Sequence, residues 1–247
     1  ELEPLPESLI VIGGGYIGAE IAQMMARMGV QVTVACRSRL LPQVEPELSE
    51  ALSDAFRAEG MKLYCGIAYD ACREDETGVT VCVKEGDTPL ELKAEQLLVA
   101  TGRTPNTEGL GLAEAGIDLD KRGAIVVDDR MRTSRPSVYA SGDVTNRDQF
   151  VYMAAYGAKL AAKNALNFDS LVYDNSAMPW VVFSDPQVAG VGFTETAAKD
   201  NGYDVMTSTI SLDHVPRALA ARDTRGLIKL IADKKTDRLL GAQILAP

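Results

Sequence analysis

The chain has 247 residues, 46% of them hydrophobic, which is enough to bury the core of one large domain or two modest ones. The formal net charge of −10 argues against a nucleic-acid surface, because phosphate contacts need clustered lysine and arginine. No apolar run is long enough to span a bilayer and the first residues have no signal-peptide character, so we expect a cytoplasmic protein.

The cysteines are scattered along the chain at Cys36, Cys65, Cys72 and Cys82. No two of them have the CxxC or CxxxxC spacing that would indicate a zinc site or a redox pair. We therefore expect reduced, buried or half-buried thiols, and we assign no metal ligand in this chain.

The N-terminal part of the chain alternates short apolar runs with helical patterns. Strands are predicted at 8–12, 30–35 and 61–65, and helices at 16–28 and 46–59. Gly29 and Gly60 follow the two helices, where a terminating glycine is common. This order predicts the opening of a parallel βαβ unit.

The pattern changes after residue 67. Alternating hydrophobic residues up to 92, separated by turn-forming pairs such as Thr77-Gly78, predict an antiparallel meander inserted in the α/β domain. A buried strand at 96–100 then runs into Gly102. A second unit is expected to contain strands at 125–127 and 138–140 and a helix at 153–166.

Beyond residue 175 the pattern is mainly that of β-strands. Strands are predicted at 180–183, 188–193, 205–210, 226–231 and 239–244, with a helix near 195–201. No closing helix follows the last strand, so we expect this to be a truncated α+β domain.

Gly13, Gly15 and Gly18 form a G-x-G-x-x-G between the first predicted strand and helix. The three glycines suit a tight turn, a close approach of the backbone to a pyrophosphate, and close packing of helix on strand. The helix N-terminus would direct its amides and its dipole at the phosphates. The spacing of strand, helix and second strand favours a bound dinucleotide over a purely structural turn.

The end of the second predicted strand bears on which nicotinamide nucleotide binds. Enzymes that use NAD have an acidic residue there for the ribose hydroxyls, whereas this chain has Cys36 flanked by Arg37 and, two residues on, Arg39. Two guanidinium groups can pair with a 2′-phosphate. We therefore predict a preference for NADPH; the alternative is a pair of solvated surface arginines.

Two later motifs carry a family resemblance. The residues LVATGRTPN at 98–106 contain Gly102 and resemble the loop that closes the nicotinamide-nucleotide domain in the class I disulfide-reductase family of flavoproteins. The residues VYASGD at 138–143 are similar to that family's second FAD motif. This resemblance implies that Asp143 binds the ribityl chain of FAD; a helix or turn cap is the alternative role.

Within this family the chain is most similar to the mercuric reductases, and the similarity covers essentially its whole length. The segments that carry it are FVY at 150–152, VFSDPQVA at 182–189, VPRALA at 215–220 and DTRG at 223–226. The reaction that this implies is hydride transfer from NADPH to FAD, then electron transfer to an active-site disulfide, then reduction of Hg(II) to Hg(0). Dihydrolipoamide dehydrogenases are similar too, but they usually have an acidic residue in place of Cys36.

The resemblance implies an α/β chain in three segments: a Rossmann-like NADPH-binding domain with its meander at 1–106, a central and FAD-binding segment at 107–174, and a partial dimerisation domain at 175–247. It also implies a homodimer. Tyr16 and Glu20 would lie near the nicotinamide ring, with Glu20 available to pair with a lysine of the flavin domain. An equal alternative for Glu20 is that its negative charge only stabilises the first turns of the helix through the helix dipole.

Two cysteine motifs of this family are not found in the sequence. They are the CxxxxC redox pair of the flavin domain and the C-terminal cysteine pair that delivers Hg(II), so we expect the isolated chain to be inactive. His214 has no nearby nucleophile to activate and is interpreted as structural. A disulfide reductase like dihydrolipoamide dehydrogenase and a non-catalytic NADPH-binding module remain the alternative functions.

Overall fold

The computed structural model describes residues 4–167 and 170–247. The chain divides into two compact units, one made of Glu1–Gly102 together with Ala177–Pro247 and the other of Arg103–Ser176. None of the helices in the described part is long and apolar enough to cross a membrane.

The first unit begins with the predicted βαβ arrangement, which is confirmed. Its elements are β1 (Ser8–Ile12), α1 (Tyr16–Arg27), β2 (Gln31–Cys36), α2 (Pro46–Ala58) and β3 (Lys62–Cys65). Pro46 occupies the first turn of α2, where its missing N–H costs nothing. Leu48, Leu52 and Phe56 recur every four residues, and all three are fully buried.

The predicted meander is also confirmed. It consists of β4 (Ile67–Asp75), β5 (Gly78–Glu85) and β6 (Thr88–Ala94) in one antiparallel sheet. The following strand, β7 (Gln96–Val99), returns to the first sheet and pairs with β1 in parallel. The order of that sheet is β3-β2-β1-β7, so the carboxyl ends of all four strands meet at one edge.

The second unit differs from its prediction. Its helix is present as α3 (Val151–Leu166), but the strands expected at 125–127 and 138–140 are wrong. Among the described residues, Ile125 forms an isolated antiparallel bridge with Leu119, and Tyr139 forms another with Arg132. The chain reverses direction within a few residues between the partners of each bridge, where Gly123 (82°) and Ser137 (63°) have a positive φ.

The C-terminal segment forms a second antiparallel sheet in the first unit. Its elements are β8 (Pro179–Val182), β9 (Gln187–Gly192), α4 (Glu195–Asp200), β10 (Val205–Ser211), α5 (Pro216–Ala221), β11 (Leu227–Asp233) and β12 (Leu239–Ala246), with strand order β10-β11-β12-β9-β8. The six-residue helix α5 was not predicted because it is too short to show a helical period.

One hydrophobic core joins the two sheets of the first unit. Val182, Val188 and Leu245 from the C-terminal sheet lie in the same buried cluster as Leu52 and Phe56 of α2. Burying a side chain of this size stabilises the fold by about 1.5–3 kcal/mol. The C-terminal sheet is therefore held against the nucleotide-type βαβ unit by shared apolar packing.

Candidate dinucleotide-binding site

The glycine turn between β1 and α1 is packed closely on one side and open on the other. A Cβ on Gly13 would lie 2.3 Å from the carbonyl oxygen of Ala100, and one on Gly18 would lie 2.1 Å from the carbonyl oxygen of Gly13. Gly13 also has a φ of 111°. A Cβ on Gly15 would instead meet no heavy atom of the described residues within 4 Å. The turn thus leaves open space at its middle fingerprint glycine.

Helix α1 begins directly at this open position. Gly15 is its N-cap residue, no side chain in the described part of the chain caps the helix, and its first turn contains no acidic residue. The first amides of a helix have no acceptor within the helix, and the helix dipole makes that end positive. An anionic group at Gly15 would therefore find donors and a favourable field.

Gly14 occupies a variable position of the G-x-G-x-x-G pattern, so the sequence motif does not predict its role, which is to let the turn contact the loop after β2. A Cβ on Gly14 would lie 3.1 Å from both the Cβ of Cys36 and the carbonyl oxygen of Arg39. The Leu41 amide also donates to the Gly14 carbonyl oxygen, at 2.6 Å. The loop that carries both predicted arginines is consequently fastened to the glycine turn.

The two arginines of this loop are not equivalent. Arg37 is exposed. The Nη2 of Arg39 donates to the carbonyl oxygens of Pro42 (2.9 Å) and Val44 (2.6 Å). The Nε of Arg39 is buried and has no hydrogen-bond partner among the described residues. Arg39 thus braces the loop from inside and Arg37 presents its charge outward.

Gly102, the last glycine assigned to the nucleotide domain, follows β7. Its φ is 127°, and a Cβ there would meet no heavy atom within 4 Å in residues 4–167 and 170–247. The nearby Ala100 amide donates to the Ile12 carbonyl oxygen at 2.7 Å. The end of β7 is therefore fixed beside the glycine turn, at the carboxyl edge of the sheet.

Tyr16 and Glu20 both contact the C-terminal sheet region. The Tyr16 ring stacks on Trp180, with ring centroids 5.8 Å apart and planes 17° from parallel. The Oε1 of Glu20 accepts a hydrogen bond from the Phe183 amide at 2.8 Å. Neither partner is predictable from a local sequence pattern, because Trp180 and Phe183 lie more than a hundred and fifty residues away along the chain.

Asp143 lies in the second unit, where it opens a short 3₁₀ helix, Asp143–Thr145. Its Oδ2 is 3.4 Å from Nη1 of Arg103, and its side chain is 49% exposed. The preceding Gly142 has a φ of 79°, and a Cβ there would lie 3.2 Å from the Cβ of Ala154. A half-exposed carboxylate on a tight turn can accept hydrogen bonds from hydroxyl groups.

The remaining candidate groups were the cysteines and His214. All four cysteines are free thiols, but Cys72 is exposed rather than buried or half-buried as expected. The fold also brings Cys36 and Cys65 together, with their Sγ atoms 3.2 Å apart. Spacing along the chain could not predict this contact, since it arises from strand pairing. The His214 side chain is exposed, and its Nε2 lies 3.7 Å from Oδ1 of Asp213.

Family models match most of the chain. Residues 1–162 match the model described as pyridine nucleotide-disulphide oxidoreductase. Residues 178–247 match the model described as the dimerisation domain of the same family. Together the two matches include the glycine turn, the arginine loop, Asp143 and the C-terminal sheet.

Individual relatives are similar over the whole chain. It is 45% identical over 246 residues to a mercuric reductase of Streptomyces lividans, covering 100% of this chain and 52% of that protein. It is 44% identical over 247 residues to a mercuric reductase of Bacillus cereus, covering 100% of this chain and 39% of that protein.

A solved structure is also similar over the whole chain. The Cu(II) complex of the HOCl-induced flavoprotein disulfide reductase RclA from Escherichia coli has a TM-score of 0.88 and 34% identity, covering 100% of this chain and 55% of that chain. The chain therefore spans between 39% and 55% of the length of these relatives.

Proposed function

The chain belongs to the pyridine nucleotide-disulphide oxidoreductase family, and we propose that it supplies the NADPH site and part of the FAD site of an enzyme that reduces Hg(II) to Hg(0). The relatives named mercuric reductase support the substrate. The full-length protein would be a cytoplasmic homodimer, with segments 1–106, 107–174 and 175–247 serving nucleotide binding, flavin binding and dimerisation.

The observation that carries the coenzyme assignment is the arginine loop fastened to the glycine turn. Arg37 is exposed, Arg39 has a buried Nε–H without a partner among the described residues, and Gly14 accepts a hydrogen bond from the loop. The exposed guanidinium group of Arg37, in a loop that Arg39 holds in place, fits a ribose that carries a phosphate. A carboxylate at this position would repel such a group.

In this proposal NADPH supplies a hydride when it is bound. The amides at the start of α1 bind the pyrophosphate beside Gly15, and Arg37 binds the 2′-phosphate through charge-assisted hydrogen bonds. Arg39 positions the loop, and Gly102 allows the backbone after β7 to approach the coenzyme. Tyr16 and Glu20 lie near the nicotinamide ring. Asp143 accepts hydrogen bonds from the ribityl hydroxyls of FAD.

The coenzyme assignment is tested by titrating this chain with NADPH and with NADH in a calorimeter. We expect NADPH to bind roughly tenfold or more tightly, because a charge-assisted hydrogen bond contributes about 1.5–3 kcal/mol. Arg37→Gln should remove most of that preference. Lys62→Gln is the matched control, because it removes one exposed positive charge from the first residue of β3. This residue is at the opposite edge of the sheet from the arginine loop, which follows the last residue of β2. Equal affinities in the unmodified chain would refute the assignment.

The substrate is tested separately on the full-length protein. We expect NADPH oxidation that depends on Hg(II) supplied as its complex with an excess of thiol. The similarity to a flavoprotein disulfide reductase favours a second candidate, an organic disulfide substrate. Oxidation driven by lipoamide or glutathione disulfide and not by Hg(II) would select that candidate. Coenzyme binding without turnover of any of these would select a non-catalytic binding module.

A further inference from the structure

Cys36 and Cys65 are neighbours across two parallel strands. Cys36 is the last residue of β2, Cys65 is the last residue of β3, and the strand register pairs the two residues directly. Neighbouring strands are about 4.8 Å apart, which lies within the Cα separations that disulfides accept. The Sγ atoms are already 3.2 Å apart, and side-chain rotation that moves them about 1 Å closer would bring them to bonding distance.

The two thiols have different surroundings. The Cys36 thiol is buried and donates its hydrogen to the sulfur of Cys65, and both this bond and its burial raise the pKa of Cys36. The same hydrogen bond, an amide hydrogen bond from Leu40 and the positive charge of Arg57 outweigh burial and lower the pKa of Cys65 to about 7. Cys65 is also the more exposed of the pair. Cys65 is thus the nucleophile and Cys36 the second thiol.

We propose that Cys36 and Cys65 form a reversible disulfide when a hydroperoxide oxidises the protein. The Cys65 thiolate attacks the O–O bond, so that one oxygen joins its sulfur and the other leaves as an alcohol or as water after taking a proton. The Cys36 sulfur then attacks the Cys65 sulfur, and the oxygen leaves as water with the Cys36 proton. Two thiols and one hydroperoxide give one disulfide, one alcohol or water, and one further water.

The disulfide reverts by exchange with a small thiol. A free thiolate attacks one sulfur, forms a mixed disulfide and releases the partner cysteine; a second thiol then releases the other. Because the cross-link joins adjacent strands in register, it needs no change in the strand pairing of β2 and β3.

The cross-link would act on the coenzyme loop, and this part rests on the proposed function. The Cys36 side chain lies against the glycine turn, since a Cβ on Gly14 would be 3.3 Å from its Sγ. The Leu40 amide, in the same loop, favours the thiolate form of Cys65, and it loses this anionic neighbour when the disulfide forms. Arg37 lies in the same loop. The disulfide form therefore binds NADPH more weakly.

The site is tested on the reduced full chain with hydrogen peroxide as the probe. After the remaining thiols have been alkylated, peptide mass spectrometry should find Cys36 and Cys65 joined, with two hydrogen atoms fewer than the free thiols, and dithiothreitol should reverse this. Cys65→Ser should abolish the cross-link, whereas Cys72→Ser on exposed β4 should leave it intact. Separate alkylation of Cys36 and Cys65 after peroxide treatment would overturn the proposal.

The coupling is tested by titrating NADPH into the oxidised and the reduced chain. We expect oxidation to weaken the affinity for NADPH roughly fivefold or more. The affinity of the Cys65→Ser variant should not change after the same treatment. Equal affinities, with the cross-link verified by mass, would overturn the coupling. A cross-link in a chain whose reduced form does not bind NADPH would support the thiol pair and refute the proposed coenzyme site.

Discussion

Glu20 on α1 accepts a hydrogen bond from the backbone amide of Phe183, 163 residues farther along the chain. One turn later on the same helix, buried Gln23 exchanges two hydrogen bonds with the backbone of Asp185, both 2.7 Å long. Residues three apart lie on one face of a helix. The face of α1 that carries both side chains therefore fastens the segment between β8 and β9.

Changing Glu20 separates a packing role from a role near the nicotinamide. Glu20→Ala leaves the Phe183 amide without its acceptor, so we expect the free energy of unfolding to fall by about 0.5–1.5 kcal/mol. Glu20→Gln retains an acceptor oxygen and should lose less. In the full-length protein, stopped-flow measurements should show slower NADPH oxidation by Glu20→Gln than by wild type, even under conditions in which the variant is fully folded. An unchanged rate would leave Glu20 with packing alone.

The glycines of the turn should respond differently to alanine. Gly18→Ala places a Cβ against the backbone of Gly13, so we expect a loss of about 1–3 kcal/mol in the free energy of unfolding. Gly15→Ala fills open space at an ordinary negative φ, and its stability should change by less than about 0.5 kcal/mol. Gly15→Ala should nevertheless weaken NADPH binding in the calorimeter. Normal binding by this variant would contradict the assigned pyrophosphate position.

Lys229 is buried and pairs with three acidic residues, of which only Glu45 is buried. Its Nζ is 2.8 Å from Glu45, 2.9 Å from Glu47 and 2.9 Å from Glu195, and the side chains of Lys229 and Glu45 are each 3% exposed. Burial alone would lower the pKa of Lys229, but these hydrogen bonds raise it above its usual value.

Lys229→Met should therefore lower the free energy of unfolding by about 3–5 kcal/mol, because it leaves the buried Glu45 carboxylate unpaired. Lys199→Met removes an exposed partner of Glu195 and should cost about 0.5 kcal/mol or less. Urea unfolding of both variants measures the difference. Similar losses in the two would show that the buried Lys229–Glu45 pair does not stabilise the fold more than an exposed pair does.

Glu195 should make stability depend on pH in the acid range. Hydrogen bonds from Lys199 and Lys229 lower the pKa of Glu195 to about 2, from a model-peptide value of 4.5. A carboxyl whose pKa is lower in the folded state contributes its stability above the unfolded pKa and loses it as pH falls through the folded one. This contribution should therefore be complete above about pH 5 and disappear towards pH 2.

The comparison of wild type with Glu195→Gln in urea at several pH values measures this effect. The wild type should be the more stable protein near neutrality, and the difference should shrink as pH falls below about 4.5. Glu50→Gln on the exposed side of α2 is the control and should behave like wild type throughout. A difference that stays constant with pH would exclude ionisation of Glu195 as its source.

Local pattern was enough to predict most elements of the fold. The strand, glycine turn and helix at 8–28, the apolar face of α2 and the alternating strands of the meander all depend on residues close in sequence. The family resemblance also depends on local sequence, because Gly102 and Asp143 each lie within a short motif and the two motifs occur in the order typical of the family. Helix periods, strand alternation and glycine conformations are local properties, so the sequence by itself determined them.

Only the tertiary structure decided which distant residues meet. The Cys36 contact with Cys65 depends on strand register, and the inward turn of Arg39 depends on how its loop folds back on Pro42 and Val44. Likewise, the strand expected at 138–140 had the right composition but met its neighbour at a single bridge. Sheet partners and buried hydrogen bonds result from packing of the whole chain, and no local period encodes them.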